Sequence, residues 1–212
     1  MQASGADGLS ALSDLCRAYW APVHAFIKGH GVNSEDAADV TQEFFELLLA
    51  RNTLARADRT RGRFRSWLRT CARNHLYAWF EQRAALKRGG RAVHVSADAH
   101  PPLDAQHAER LFDRRWALTV LERALEQLRQ RYERANKRAL FDALYGGLSG
   151  SSSEADDREF ALLLGKSVSA IRVERHRLRT RFQECLKREV ADTVASASEI
   201  DDELRRLFAA LS

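Results

Sequence analysis

Apolar positions in the first part of the chain repeat with the period of a helix. Apolar side chains return every three or four residues, which is typical of a helix that buries one face. Pro22 interrupts the first of these stretches and is expected to kink or break the helix there. Asn33 or Ser34 is expected to cap the second helix, because either side chain can accept a hydrogen bond from the first turn. The three stretches are residues 9–27, 37–48 and 64–87.

The second half of the chain predicts more helices after a stretch that has no period. Residues 91–113 contain two adjacent prolines and no sustained apolar repeat, so we expect a linker between two modules. The sequence shows no alternating strand pattern. The expected fold class is therefore all-α, with two small helical domains joined by a flexible linker. The remaining helical stretches are residues 116–128, 138–145, 157–164, 169–189 and 200–211.

The composition argues against several classes of protein. Cys16, Cys71 and Cys185 are far apart and form no CxxC pair, so we expect small buried side chains rather than a disulfide framework or a zinc site. The histidines lack metal-ligand spacing, and no phosphate loop, dinucleotide fingerprint or nucleophile–base set is visible. We therefore expect no enzyme activity, no metal and no cofactor. The apolar runs are too short to span a membrane and no signal peptide is evident, which predicts a cytoplasmic protein.

Positive charge is concentrated in two of the predicted helices, although the whole chain carries a net charge of only +5. Residues 57–91 contain ten Lys or Arg against two acids, and residues 166–188 contain eight against two. Such clusters are suited to neutralising the phosphates of nucleic acid. Four aromatic residues are interleaved with the first cluster, which fits either stacking on unpaired bases or an ordinary core face. They are Trp67, Tyr77, Trp79 and Phe80.

Residues 157–181 carry the spacing of a helix-turn-helix. Ala161, Gly165 and Ile171 fall at its fifth, ninth and fifteenth positions. A small residue lets the two helices approach, glycine permits a positive φ in the turn, and an aliphatic side chain anchors the second helix. The basic helix that follows the turn suits the major groove of duplex DNA. The alternative is a solvated basic face on an ordinary helical hairpin.

The second predicted helix is acidic. Asp36 and Asp39 have the spacing of a carboxylate pair, but we expect no metal site because no second carboxylate cluster faces them. Acids in a first helical turn are also favoured by the helix dipole without any ligand. The mixture of apolar and polar groups at Gln42, Glu43 and Phe44 favours a face that docks on another protein. The carboxylates of this helix are Glu35, Asp36, Asp39, Glu43 and Glu46.

These motifs resemble those of bacterial RNA polymerase sigma factors. The segment DAADVTQEFFELLL, residues 36–49, resembles the DxxQExF signature of their second conserved region. The segment FRSWLRTCARNHLYAWFEQRAALKR, residues 64–88, is similar to the WL…ARN…R continuation of that region. The helix-turn-helix resembles their fourth conserved region. The compact arrangement resembles the extracytoplasmic-function (ECF) group, and the tail TVASASEIDDELRRLFAAL resembles the ending of one subset of that group.

The resemblance implies a non-enzymatic sigma factor that binds core RNA polymerase and directs promoter recognition and transcription initiation. Residues 9–90 would be a region-2-like domain for the polymerase clamp and the minus-ten element, and residues 91–113 the linker. Residues 114–190 would be a region-4-like domain for the minus-thirty-five element, and residues 191–212 an amphipathic tail. The implied partners are core polymerase, through its beta-prime clamp and beta flap, promoter DNA and an anti-sigma factor, with no membrane insertion.

The resemblance also assigns three sets of site residues. The polymerase clamp would be contacted by Asp39, Gln42, Glu43 and Phe44. The minus-ten element would be contacted by Asn74, His75 and Tyr77, which match a loop that captures an unpaired base, and by Arg73, Arg83, Lys87 and Arg88. The minus-thirty-five groove would be contacted by Ala170, Arg172, Arg175, His176 and Arg179. Two residues depart from the family pattern, namely Asp157 at the start of the first motif helix and Arg175 at an inward-facing position.

Two other functions and one structural question stay open. A stand-alone helix-turn-helix regulator, whose first lobe senses a ligand or dimerises, would bind a palindromic DNA site without polymerase. A helical metalloenzyme is the other alternative, although no ligand set supports it. The tail has acids near its start and an apolar stripe, which predicts a helix that packs on either lobe or on a partner. The stripe comprises Leu204, Leu207, Phe208 and Leu211.

Overall fold

The computed structural model describes residues 3–50, 63–87, 105–146, 148 and 153–212, with only the backbone for residues 3–14 and 87. All regular elements within these residues are helices, which confirms the all-α class. A short 3-10 turn, Ala197–Glu199, precedes the last helix. The helices are α1 (Ala3–Gly29), α2 (Ser34–Ala50), α3 (Phe64–Lys87), α4 (Ala105–Arg134), α5 (Arg138–Tyr145), α6 (Glu154–Leu164), α7 (Val168–Ala191) and α8 (Ile200–Ala209).

Helix α1 runs through Pro22 without a break. A break at this proline is therefore wrong, whereas a kink there stays a prediction. Proline removes one backbone hydrogen bond, but the face around it is strongly buried. Val23, Phe26 and Ile27 have no exposed surface, and burying these apolar side chains offsets the lost bond because each contributes about 1.5 to 3 kcal/mol.

The chain divides into two compact units, and it passes between them twice. Unit 1 comprises residues 1–119 and 193–212, and unit 2 comprises residues 120–192. The first passage lies within α4, and the second follows α7. Unit 1 is therefore assembled from two separate stretches of chain, whereas the sequence predicts two consecutive domains with a separate tail.

The predicted linker ends earlier than expected. Residues 91–104 lie outside the described residues, and residues 105–113 belong to α4, although the sequence predicts a linker as far as residue 113. Ala108, Phe112 and Trp116 are fully buried. These positions continue the helical period upstream of the predicted start, and nearby prolines and histidines obscure that period in the sequence.

Aromatic side chains form much of the core of unit 1. Tyr19 of α1 stacks on Trp116 of α4, with ring centroids 4.5 Å apart. Phe26 meets Phe112 edge-on at 6.0 Å. Such pairs add roughly 0.5 to 1.5 kcal/mol beyond the area they bury. They fix the first half of α4 to α1 within this unit.

The tail helix α8 is part of unit 1. Nε of Arg65 donates to Oε1 of Glu203 at 2.9 Å, and the other end of the same guanidinium donates to Asp113 at 2.6 Å. Glu203 is only 1% exposed. The backbone N–H of Phe64 donates to the carbonyl of Thr193 at 2.9 Å. The tail therefore packs within unit 1. A buried ion pair holds it there in addition to its apolar stripe.

A second arginine holds the same helix. Arg63 donates a hydrogen bond to Asp202 and lies 3.3 Å from Glu203. That hydrogen bond, together with the charge of Arg206, holds the pKa of Asp202 below its ordinary value. The ionised carboxylate therefore stabilises the folded state at neutral pH, and the contribution is lost as the pH falls through the lowered pKa. Within the predicted stripe, Leu207 is buried whereas Phe208 is half exposed.

At Gly29, α1 comes close to α4. A Cβ atom at this position would lie 2.7 Å from Cα of Ala108, 2.9 Å from its Cβ and 3.2 Å from Cδ1 of Leu111. The first of these atoms is backbone, so the two helices would have to move apart. The absence of a side chain at Gly29 is therefore needed for the packing of α4.

We expect Gly29→Ala to destabilise the protein by about 1 to 3 kcal/mol, the usual cost of overpacking a close contact. The measurement is chemical denaturation of the full chain. Gly146→Ala is the matched control, because a Cβ there would meet nothing within 4 Å and the backbone is right-handed. Equal stabilities for the two variants would contradict the inferred role of Gly29.

Candidate functional site

A reciprocal cap fixes the start of α2. The backbone N–H of Asp36 donates to Oδ1 of Asn33 at 2.8 Å, and Nδ2 of Asn33 donates back to Asp36 at 2.8 Å. Asn33 is therefore the cap, which selects one of the two predicted residues. Arg83 of α3 donates to the same Asp36 carboxylate at 2.5 Å. This carboxylate is engaged in holding α2 against α3.

Most of the residues predicted to bind polymerase lie on the surface of α2. Asp39, Gln42 and Glu43 are exposed, and Gln42 donates to Glu46 at 2.8 Å. We call these four residues the acidic surface of α2. Phe44 is only 3% exposed and packs against a neighbouring phenylalanine ring. Its ring is therefore largely enclosed by the core, and its assignment as a polymerase contact stays a prediction.

The residues predicted to capture an unpaired base lie on a helix. Asn74, His75 and Tyr77 occupy the middle of α3, which is continuous from Phe64 to Lys87. This confirms the helix predicted for residues 64–87, and the stretch that resembles a base-capturing loop is helical here. Asn74 is exposed, whereas the other two side chains are partly buried.

The basic residues predicted near the minus-ten element have different surroundings. Arg73 is exposed. Arg83 is tied to Asp36 by the ion pair described above. Arg88 and the side chain of Lys87 lie outside the described residues. Only part of the predicted basic set can thus be located on the surface of α3.

A groove of about 410 Å³ between α2 and α3 brings two predicted sites together. It contains Glu43 from the polymerase set and Asn74 and His75 from the minus-ten set. Leu47 and Gln82 also line it, although no sequence motif marks them as site residues. Helical spacing places them on the groove face, because Leu47 lies one turn beyond Glu43 and Gln82 two turns beyond Asn74. The remaining lining residues are Phe44, Leu48, Cys71, Ala78 and Trp79.

The aromatic residues of α3 fall into two groups. Trp67 stacks on Phe64 with centroids 5.4 Å apart, which joins it to the aromatic core. Trp79 meets Phe80 at 5.2 Å, and the guanidinium of Arg83 lies 4.8 Å from the Trp79 ring. Trp79 and Phe80 are partly exposed. Trp67 is therefore a core residue, whereas Trp79 and Phe80 remain candidates for stacking on unpaired bases.

The cysteines are only partly as predicted. Cys185 is buried, whereas Cys16 and Cys71 are half-buried. Burial raises the pKa of all three thiols, so they are poor nucleophiles at neutral pH. Among the residues that the structure describes, no group of His, Cys, Asp or Glu could hold a metal ion. No helix in the same part of the chain is long and apolar enough to cross a membrane.

A three-residue turn joins α6 to α7 in unit 2. Gly165 has a φ of 61°, as expected for the turn glycine. Ala161 and Ile171 are buried, as their spacing predicts. Ser153 and Asp156 form a reciprocal capping box at the start of α6, and Ser167 caps α7 by accepting from the third residue along.

The two departures from the family pattern bind each other. NH1 of Arg175 lies 2.5 Å from Oδ1 of Asp157, and both residues are 5% exposed. This ion pair crosses from α6 to α7 where an apolar contact is expected. Arg175 is therefore a buried residue that ties α6 to α7, and its assignment to the DNA-contacting set stays a prediction. In the sequence, an acid and a base at two positions expected to face inward would predict this ion pair.

The other residues predicted for the minus-thirty-five groove lie at the surface of α7. Arg172, His176 and Arg179 are exposed, and Ala170 is partly buried. Nε of Arg172 donates to Asp157 at 3.2 Å. Arg172 therefore contacts the buried pair from the surface, and its hydrogen bond to Asp157 orients its side chain.

A comparison with known protein families identifies one part of the chain. Residues 15–85 match the family model for Sigma-70 region 2. The match covers about one third of the 212 residues and includes the whole of α2 and nearly all of α3. No curated protein and no solved structure matches the chain. This stretch therefore resembles the second conserved region of sigma-70 factors.

We expect Asp157→Asn to destabilise unit 2 by about 3 to 5 kcal/mol, because it leaves the charge of Arg175 buried without its carboxylate. The free energy of unfolding is measured by chemical denaturation. The double variant Asp157→Leu with Arg175→Leu is expected to recover most of that loss, since apolar side chains can replace a buried ion pair.

Glu154→Gln provides the control for this experiment. Glu154 contacts Arg172 at 3.3 Å in an exposed pair, and such pairs contribute roughly 0 to 1 kcal/mol. A similar small effect of Asp157→Asn would show that the buried pair does not hold α6 to α7.

Proposed function

We propose that the protein is a sigma factor of the extracytoplasmic-function group, which binds core RNA polymerase and directs transcription initiation at specific promoters. The observation that carries this proposal is the region-2 match over residues 15–85, because this stretch contains both an exposed acidic helix and a basic helix. The proposed location is the cytoplasm, where bacterial polymerase acts.

The acidic surface of α2 is the proposed contact for the beta-prime clamp. Asp39, Gln42 and Glu43 are presented within two turns of a helix whose start is fixed by its cap. Phe44 supports them from the core side. A rigid helix presents polar side chains without a large loss of conformational entropy on binding, which favours such a surface as a docking site.

Helix α3 is the proposed contact for the minus-ten element. Arg73 and Asn74 are both exposed on α3, so a charge for the backbone and an amide for a base edge are both present at its surface. Trp79 lines the groove that contains Asn74. An amide and a partly exposed aromatic ring are the groups that recognise an unpaired base by hydrogen bonding and stacking.

Unit 2 is the proposed reader of the minus-thirty-five element. The α6–turn–α7 arrangement, with its positive-φ glycine, supports a helix-turn-helix in which α7 enters the major groove. We assign contacts at the surface of α7 to Ala170, Arg172, His176 and Arg179, and a supporting role beneath them to the buried Arg175. The beta flap and an anti-sigma factor are further proposed partners, suggested by the resemblance alone.

Co-purification with core polymerase, followed by transcription from a promoter library, tests the proposal as a whole. A sigma factor forms a stable complex and supports initiation at a subset of promoters. Binding to a palindromic duplex without any association with polymerase would favour a stand-alone regulator instead.

We expect Gln42→Ala combined with Glu43→Ala to weaken binding to core polymerase by about 2 to 4 kcal/mol, as expected for anchor residues of an interface. Binding is measured by competition for labelled core enzyme. Glu35→Gln is the control, because it removes a charge from the exposed first turn of the same helix, outside the acidic surface. Equal affinities for the two variants would argue against α2 as the docking helix.

We expect Asn74→Ala to spare binding to duplex DNA and to impair promoter opening, because a captured base offsets the few kcal/mol lost on unstacking. Arg179→Ala is expected to show the opposite pattern. DNA that already contains a mismatched bubble should partly rescue the Arg179 variant and not the Asn74 variant. Equal rescue of both, measured as abortive transcription, would contradict this division of roles.

A further inference from the structure

A small concavity of about 260 Å³ lies between α6 and α7 in unit 2. Three of its five lining residues are arginines, and only one is an acid. The lining residues are Asp157, Arg172, Arg175, His176 and Arg179.

Positive charge is in excess inside this concavity. The carboxylate of Asp157 is shared, since it lies 2.5 Å from NH1 of Arg175 and accepts from Nε of Arg172 at 3.2 Å. Glu154 contacts Arg172 from outside at 3.3 Å. Three guanidinium groups therefore line a space that contains one carboxylate. A second anion within the space would stabilise this arrangement.

The concavity has a fixed structure and is not only a cluster of arginines on the surface. Arg175 and Asp157 are both 5% exposed, so the floor is held by buried groups from two helices. Arg172, His176 and Arg179 are one turn apart along the same side of α7. Guanidinium groups on a fixed backbone match the tetrahedral oxygens of a phosphate and can bind them in a bidentate manner.

We propose that this concavity binds one phosphate of the DNA backbone, so that Arg172 and Arg179 position α7 on the duplex and do not read bases. The choice of a phosphodiester rests on the proposed function of unit 2. It also fits the geometry of such motifs, in which the first helix lies across the backbone while the second enters the groove. Val173, the next residue round α7, is 48% exposed and is left to meet base edges, where an apolar side chain suits a thymine methyl group.

A matched pair of arginines tests the proposal. Arg172 lines the concavity and Arg177 does not, yet their side chains are 56% and 57% exposed. Each also pairs with a glutamate, at 3.3 Å and 3.1 Å respectively. Arg172→Gln and Arg177→Gln therefore remove the same charge, from the same helix, at the same exposure. Arg179→Gln is a second variant within the concavity.

The measurement is the affinity of the full chain for several unrelated short duplexes, at salt concentrations from about 50 to 200 mM. Loss of one phosphate contact lowers the slope of log affinity against log salt by about 0.9. We expect this change for Arg172→Gln and Arg179→Gln on every duplex, and a smaller change for Arg177→Gln. Thermal melting of each variant confirms that it is folded.

Duplexes with a single methylphosphonate linkage give an independent readout. When the methylphosphonate replaces the phosphate that occupies the concavity, the unmodified protein should bind more weakly. The affinities of Arg172→Gln and Arg179→Gln should then show no further loss. Equal slopes for Arg172→Gln and Arg177→Gln, or a loss for Arg172→Gln on some sequences only, would overturn the proposal. Failure of the unmodified chain to bind any duplex would also overturn it. Polymerase plays no part in these assays, so the proposed function is judged separately.

Discussion

The guanidinium of Arg65 lies between two carboxylates that come from distant parts of the chain, Asp113 at 2.6 Å and Glu203 at 2.9 Å. An arginine buried to this extent is stable only when its charge is paired and its donors are satisfied. Helices α3, α4 and α8 must therefore meet at this point. Unit 1 is closed by a segment that follows unit 2 in the sequence, and so the tail belongs to the fold of the first domain.

Unit 2 follows the same rule on a smaller scale. Asp157 and Arg175 join α6 to α7 through a buried ion pair. In both units, some of the arginines that make a segment basic thus form ion pairs within the fold. Arg65, Arg83 and Arg175 are paired with carboxylates from other helices. The net charge of a segment therefore overstates the charge it can offer to nucleic acid, and the geometry of each arginine decides its role.

Local patterns in the sequence predicted that the helices exist, because period, caps and turn glycines act within a few residues, but they missed the start of α4. Phe44 shows where two patterns conflict. Its place in the apolar period predicts burial, whereas its place in the motif predicts a partner contact, and the structure follows the period. The pairs between Asp157 and Arg175, and between Arg65 and Glu203, join residues 18 and 138 positions apart. Such pairs depend on tertiary packing, which no local pattern reports.

The groove between α2 and α3 gives the two proposed functions of unit 1 a common support. Glu43 and Asn74 line it from opposite helices, and Phe44 also lines it, with its ring 5.8 Å from that of His75. A closely packed wall of this kind transmits displacement rather than absorbing it. The proposed polymerase contact at Glu43 and the proposed base contact at Asn74 therefore share the side chains that line one groove. A shared groove would give a physical reason for both proposed contacts to reside in a single small domain.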